Sequence, residues 1–140
     1  MAVFSREITG AGFVVLKTHE LHGFYVLVLL TVDGDWDLPK GTIDPAEEVY
    51  PAAFRELKEE AGISHVDLLW GDTCCVTGPL AMMIGVTDDE PEILPNTHTG
   101  IIEHQQAIWT SFDKAFQVMP EFLKPCIIWA KGIAGGKCLA

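Results

Sequence analysis

The chain has 140 residues and a formal net charge of -11 at pH 7. Apolar residues make up 49% of it, enough to build the core of a single domain over residues 1–140 and too many for a disordered acidic tail. With only nine Lys and Arg, broad electrostatic binding to nucleic acid or to an anionic membrane is not expected, and an anionic substrate would need neutralising by metal ions.

Residues 1–10 contain Arg6 and Glu7 and no apolar stretch of the signal-peptide kind, and the longest apolar run, residues 24–32, is too short to span a bilayer. Four cysteines (Cys74, Cys75, Cys126 and Cys138) form no metal-binding or redox spacing, so the expectation is a reduced, cytoplasmic protein.

Residues 8–16 read as a first strand, in which Gly10 and Gly12 allow a bend or a close backbone approach. A turn at 19–23 leads to residues 24–32, a continuous apolar run that suits a central strand buried on both faces. After a turn at Asp33-Gly34-Asp35, residues 36–41 form a short extended piece that Pro39 keeps out of a central ladder position. Asp44-Pro45 starts a loop to Glu48. A helix begins at Val49 or Tyr50, tolerates Pro51 in its first turn, runs to Ala61 and stops at Gly62. Residues 66–70 and 74–86 read as strands, broken at Gly71-Asp72 and Gly78-Pro79. Residues 87–99 are acidic, unpatterned and contain proline, the composition of a mobile surface loop. Residues 100–110 read as another strand, Ser111 as the N-cap of a short helix over 112–118, and Pro120 as the start of a last helix to about Lys131. Its apolar side is Leu123, Ile127, Ile128 and Ala130; Ile127-Ile128-Trp129 could be core or a dimer contact, which leaves monomer or homodimer open. Residues 132–140, small and glycine-rich, read as a flexible tail. Helices at both ends of a mixed strand set argue for an α/β fold with the sheet covered on both faces.

The helix carries the chemistry. At about 100° per residue, Ala53, Phe54, Leu57 and Ala61 share one side, and Glu56, Glu59 and Glu60 share the adjacent one. Like charges at this spacing repel by a few tenths of a kcal/mol. A solvated acidic face would tolerate that repulsion. A hard divalent cation would offset it, because Mg2+ prefers carboxylate and water oxygens and bridges to substrate phosphates.

The surrounding pattern favours the cation. Gly41 is followed after five residues by Glu47, and seven residues later come Arg55-Glu56-Leu57-Lys58-Glu59-Glu60-Ala61-Gly62-Ile63. This meets every defined position of the Nudix box and resembles the Nudix hydrolase family; at background residue frequencies a chance match is about 1 in 10^9 or rarer. The resemblance covers roughly residues 8–118. It implies an α/β/α sandwich around a mixed β-sheet, with the box as a loop-helix-loop at one sheet edge. It implies metal binding by Glu56, Glu59 and Glu60, with Mg2+ (or Mn2+) as cofactor and the backbone carbonyl of Lys40 as a further ligand. Arg55 is implied to pair with Glu47 and brace the loop against the helix. The general base is implied to be Glu56 or a glutamate outside the box, for which Glu103, before Ile108-Trp109, is the candidate. His104 reads as a partly exposed strand histidine.

The substrate implied is a nucleotide: a nucleoside diphosphate linked to another group. Trp36-Asp37-Leu38-Pro39-Lys40-Gly41-Thr42-Ile43-Asp44 looks like the corresponding stretch of the diadenosine tetraphosphate hydrolase subgroup, in which Lys40 would set a point charge beside a long polyphosphate. Nucleoside triphosphates, RNA 5′ ends and nucleotide sugars are alternatives for the same chemistry, and a non-catalytic nucleotide-binding sensor is an alternative of another class. The chain departs from the pattern at Ala46, where many relatives have glycine, and at Pro51, where a helix former is usual. In place of a tyrosine-rich strand after the box it has Met82-Met83, which reads as core.

Overall fold

The computed structural model describes residues 7–21 and 23–135. The elements run β1 (Gly10–His19), β2 (Gly23–Thr31), β3 (Trp36–Asp37), β4 (Lys40–Thr42), α1 (Val49–Ala61), β5 (Cys74–Thr77), β6 (Leu80–Val86), β7 (His104–Thr110), α2 (Phe112–Val118) and α3 (Lys124–Ala130). A 3-10 turn at Glu121–Leu123 precedes α3, and a π-helical turn at Lys131–Gly135 follows it. The strands form one seven-stranded sheet in the order β3-β2-β1-β6-β5, with β4 also on β1 and β7 also on β2. β1 runs parallel to β6 from Gly10 opposite Leu80 to Leu16 opposite Val86, and antiparallel to β2 and β4, so the sheet is mixed.

Side chains alternate across a strand, and here both faces are covered. Val14, Leu16, Val26, Val28, Met82 and Ile84 pack with Leu123, Ile127 and Ala130 of the C-terminal helical segment. Phe13, Val15, Leu27, Leu29, Ala81 and Met83 pack with Ala53, Leu57 and Ala61 of α1. The result is the α/β/α sandwich, and it is why β2 and β6 read in sequence as unbroken apolar runs. Met82 and Met83 point to opposite faces and are both core.

The structure differs from the sequence reading in several places, each with a physical reason. Residues 66–70 form no strand; Asp67 makes only an isolated bridge to Val86. β5 already occupies that edge of β6 as far as Met83, which leaves only the end of β6 to pair. The last strand begins at His104 rather than at 100, because the ladder shifts register at Leu30/Thr31 and beyond it only the Val32 N–H to Glu103 carbonyl bond remains. Phe54 lies at the rim of the α1 interface, partly exposed and edge-on to Phe13 with ring centroids 4.9 Å apart. Ile128, expected on the buried side of the last helix, is 60% exposed, because the helix packs through Cys126, Ile127 and Ala130 instead. Gly132 to Gly135, expected to start a fraying tail, continue the helical winding with Ala134 buried; positions 136–140 and 1–6 lie outside the described residues. No described helix is long and apolar enough to cross a membrane.

α1 ends as its sequence dictates. Gly62 adopts φ +68° and donates its N–H to the Lys58 carbonyl at 3.0 Å, and a Cβ added there would lie 2.9 Å from the Glu92 carbonyl oxygen. An L-residue in this conformation costs about 1–2 kcal/mol. Gly62→Ala should therefore lower the unfolding free energy by roughly 1–2 kcal/mol or more in urea titrations, and an unchanged midpoint would contradict the capping geometry.

Candidate active site

α1 lies against the sheet through Ala53, Leu57 and Ala61, which turns Glu56, Glu59 and Glu60 towards the loop that follows β4. Glu56 is 8% exposed. Its carboxylate fills the space over Gly41: a Cβ added to Gly41 would lie 1.8 Å from the Glu56 Oε2 atom. A side chain at position 41 would displace the carboxylate, so the glycine is required by proximity rather than by a turn.

Arg55 ties the loop to the helix. Its Nε and Nη2 donate to the two oxygens of Glu47 at 2.8 and 2.9 Å, a bidentate pair. Nη1 donates to Glu56 at 2.9 Å and to Glu59 at 3.1 Å, and Nη2 also reaches the Thr42 carbonyl at 2.9 Å. Glu47 in turn accepts the Asp44 N–H at 3.0 Å. Glu60 stands outside this network and accepts the backbone N–H of Lys40 at 3.1 Å. Ala46, just before Glu47, holds φ +66°, the left-handed conformation that glycine adopts freely.

The electrostatics divide the carboxylates. The Arg55 hydrogen bond, helped by the Asp44 N–H, holds Glu47 at about 2, well below the usual range. Burial pushes Glu56 up, against the opposing pull of Arg55. Burial also raises Glu60, to about 8, with the Lys40 N–H acting the other way and Glu56 adding to the rise. Arg55 itself is raised, first by its bonds to Glu47.

These groups open onto a cavity of about 290 Å³, lined by Gly41, Arg55, Glu56, Glu59, Glu60, Asn96, Glu103 and His104, among others. Glu56, Glu59, Glu60 and Glu103 therefore share one cavity. The Lys40 side chain does not line it: its Nζ turns to Asp37 at 3.2 Å and lies 5.7 Å from the centre of the Phe122 ring, beside a neighbouring cavity. His104, expected to be partly exposed, is buried, and burial lowers its pKa. Leu94, Asn96, Thr97 and His98, which read in sequence as part of an unpatterned surface loop, form part of the wall. The signal available for them was the turn chemistry of Asn96-Thr97-His98-Thr99-Gly100.

The donor set suits a hard divalent cation. Glu56 and Glu60 are carboxylates in surroundings that disfavour their charge, and added positive charge would reverse that. As the side chains stand, no three of the described His, Cys, Asp or Glu groups converge on one point; Arg55 holds Glu56 and Glu59.

The fold is shared with solved structures of other proteins. It matches a C. elegans Ap4A hydrolase binary complex with a TM-score of 0.69 and 23% identity, covering 89% of this chain and 96% of that one. It matches the MutT protein of Methanosarcina mazei Go1 with a TM-score of 0.62 and 16% identity, covering 94% and 98%. At these identities the likeness is one of fold. The NUDIX domain profile matches residues 9–129, and this chain belongs to that family. Curated relatives include the asymmetrical bis(5′-nucleosyl)-tetraphosphatase of Caenorhabditis elegans, 36% identical over 70 residues, and the RNA pyrophosphohydrolase of Pelagibacter ubique, 36% identical over 63 residues. The matched segments span 49% and 37% of those relatives, and 48% and 43% of this chain.

The Glu47–Arg55 pair makes a pH prediction with a definite sign. The unfolded chain takes up a proton at Glu47 near the ordinary value of 4.5, and the folded chain only near 2. The pair's contribution is thus complete above the first value and lost as pH falls through the second. Unfolding free energies of the wild type and Glu47→Gln should differ most above pH 4.5 and converge towards pH 2. A pH-independent difference would contradict the assignment.

Proposed function

We propose that this chain is a divalent-metal-dependent Nudix hydrolase that cleaves a nucleoside diphosphate linked to a further group, with a dinucleoside polyphosphate such as diadenosine tetraphosphate as the favoured substrate. The observation that carries this reading is the grouping of Glu56, Glu59, Glu60 and Glu103 around one cavity beside Gly41 and Arg55. Glu56, Glu59 and Glu60 would hold the metal, Mg2+ or Mn2+, with the Lys40 carbonyl as a further ligand. A bound divalent cation supplies Lewis-acid charge to the phosphate oxygens and acidifies the attacking water.

The remaining work falls to the chain's own groups. Glu103 accepts the proton of the attacking water as a new P–O bond forms and the anhydride P–O bond breaks; Glu56 is the alternative base. Arg55 and Glu47 hold the loop after β4 in place, so that the carboxylates need little reorganisation. The Lys40 ammonium, flexible on its stem, swings from Asp37 to a distal phosphate of a long polyphosphate.

Two observations bear on the substrate. The stretch from Trp36 to Asp44 and the C. elegans tetraphosphatase relative favour a dinucleoside polyphosphate. The RNA pyrophosphohydrolase relatives favour an RNA 5′ end, against which stands the net charge of -11. Intact Glu56, Glu59 and Glu60 weigh against a sensor without turnover. The proposal includes a cytoplasmic location, and a monomer or homodimer.

A substrate panel with Mg2+, comprising diadenosine tetraphosphate, nucleoside triphosphates, a nucleotide sugar and 5′-triphosphate RNA, should show fastest turnover of diadenosine tetraphosphate. Preferred turnover of the RNA would move the substrate to RNA ends, and tight nucleotide binding with no turnover would leave a sensor. Glu60→Gln should lower kcat about 100-fold or more while the unfolding midpoint stays near the wild-type value. Turnover at the wild-type rate in that variant would sink the metal-ligand role of Glu60.

A further inference from the structure

We propose that Asn96 is the positioning residue for Glu103, and that the turn after Asn96 is folded around this task. The inference rests on the reading of Glu103 as the base. Two different halves of one side chain carry it. The Asn96 Oδ1 accepts the backbone N–H groups of His98 at 2.8 Å and Thr99 at 3.1 Å, while Nδ2 donates to Glu103 Oε2 at 2.8 Å. The assignment of the two amide atoms follows from the partners, since a backbone N–H can only donate and a carboxylate can only accept.

The main chain reinforces the arrangement. Asn96 N–H donates to the Ile101 carbonyl and its carbonyl accepts the Gly100 N–H, each at 2.8 Å, which closes the turn on itself. At its far end, the Glu103 carbonyl accepts the Val32 N–H at 3.1 Å and is thereby fixed to the sheet beyond β2. The backbone of Glu103 is thus held by β2 and its carboxylate by Asn96. Glu103 is solvent-exposed, and a free glutamate on the surface samples several rotamers. The hydrogen bond from Asn96 selects one, at the wall of the cavity that Glu56, Glu59 and Glu60 also line. Asn96 donates to the carboxylate without neutralising it, so Glu103 keeps an oxygen free to take a proton.

The roles of the two halves can be separated. Asn96→Asp retains an oxygen for the His98 and Thr99 N–H groups, but replaces the donor to Glu103 by a second carboxylate oxygen. Hydrolysis of the panel compound that the wild type turns over fastest, expected to be diadenosine tetraphosphate, would be measured with Mg2+ for the wild type, Asn96→Asp, Glu103→Gln and the double variant, with unfolding midpoints alongside. Asn96→Asp should lower kcat about tenfold or more, the factor that corresponds to a hydrogen bond to a charged group, with KM nearly unchanged. In the Glu103→Gln background the same substitution should have little further effect, because Asn96 acts through Glu103.

An equal loss in both backgrounds would overturn the inference and make Asn96 a general support of the loop. Wild-type turnover in Asn96→Asp, with Glu103→Gln slow, would also overturn it while leaving Glu103 as the base. Wild-type turnover in Glu103→Gln, or no turnover by the wild type of any compound of the substrate panel, would remove the base reading and this inference together. Should Asn96→Asp not fold, Asn96→Ser gives the same cycle, since its hydroxyl still accepts from the turn but cannot reach Glu103.

Discussion

Arg55 stands where four acidic side chains meet: Glu47, Glu56 and Glu59 within 3.1 Å and Asp44 at 3.6 Å. An exposed ion pair of this kind contributes little by itself. Here the guanidinium is only partly exposed, binds Glu47 through two parallel hydrogen bonds and also takes the Thr42 carbonyl, so it joins residues 42–47 to α1 as one unit. It also limits the repulsion that Glu56 and Glu59 would otherwise exert on each other along the helix. Glu60 receives no such help: it accepts the Lys40 N–H, and burial pushes its pKa up to about 8. The helix therefore presents two carboxylates already countered by a side chain and one that is not.

The rest of the fold keeps this arrangement at the edge of the sheet. Leu57, Ala53 and Ala61 anchor α1 to the face formed by Phe13, Val15, Leu27 and Leu29. β4 pairs with the start of β1, bringing Gly41 under the Glu56 carboxylate. β7, paired with β2, delivers Glu103 and His104 to the far wall. Three distant parts of the chain thus converge because the sheet fixes their strands, and the cavity owes its shape to backbone pairing as much as to side chains.

Much of this was legible in the residues. Apolar runs, Gly62 and the spacing of the glutamates locate α1 and the central strands; Ser111 is the N-cap it reads as, accepting the Lys114 N–H at 3.1 Å. The order of strands and helices argues for a sheet covered on both faces, and the family resemblance implies the α/β/α sandwich. What escaped were features set by competition between distant segments. Residues 66–70 have strand chemistry, but the edge of β6 they would need is taken by β5. His104 is buried where β7 pairs with Thr31 at the end of β2, a pairing that nothing in its own neighbourhood announces. Asn96 looks like an ordinary turn residue, and its second partner, seven residues on, becomes visible only in three dimensions.

The account turns on whether Glu56, Glu59 and Glu60 together form a site for a divalent cation. A titration of Mn2+ into the metal-free protein, followed by the electron paramagnetic resonance signal of the free ion, measures this without reference to any substrate. The account predicts saturable loss of that signal with the wild type, and loss of the binding in a variant with all three glutamates changed to glutamine. Equal Mn2+ binding by the two proteins, or none by the wild type, would contradict it.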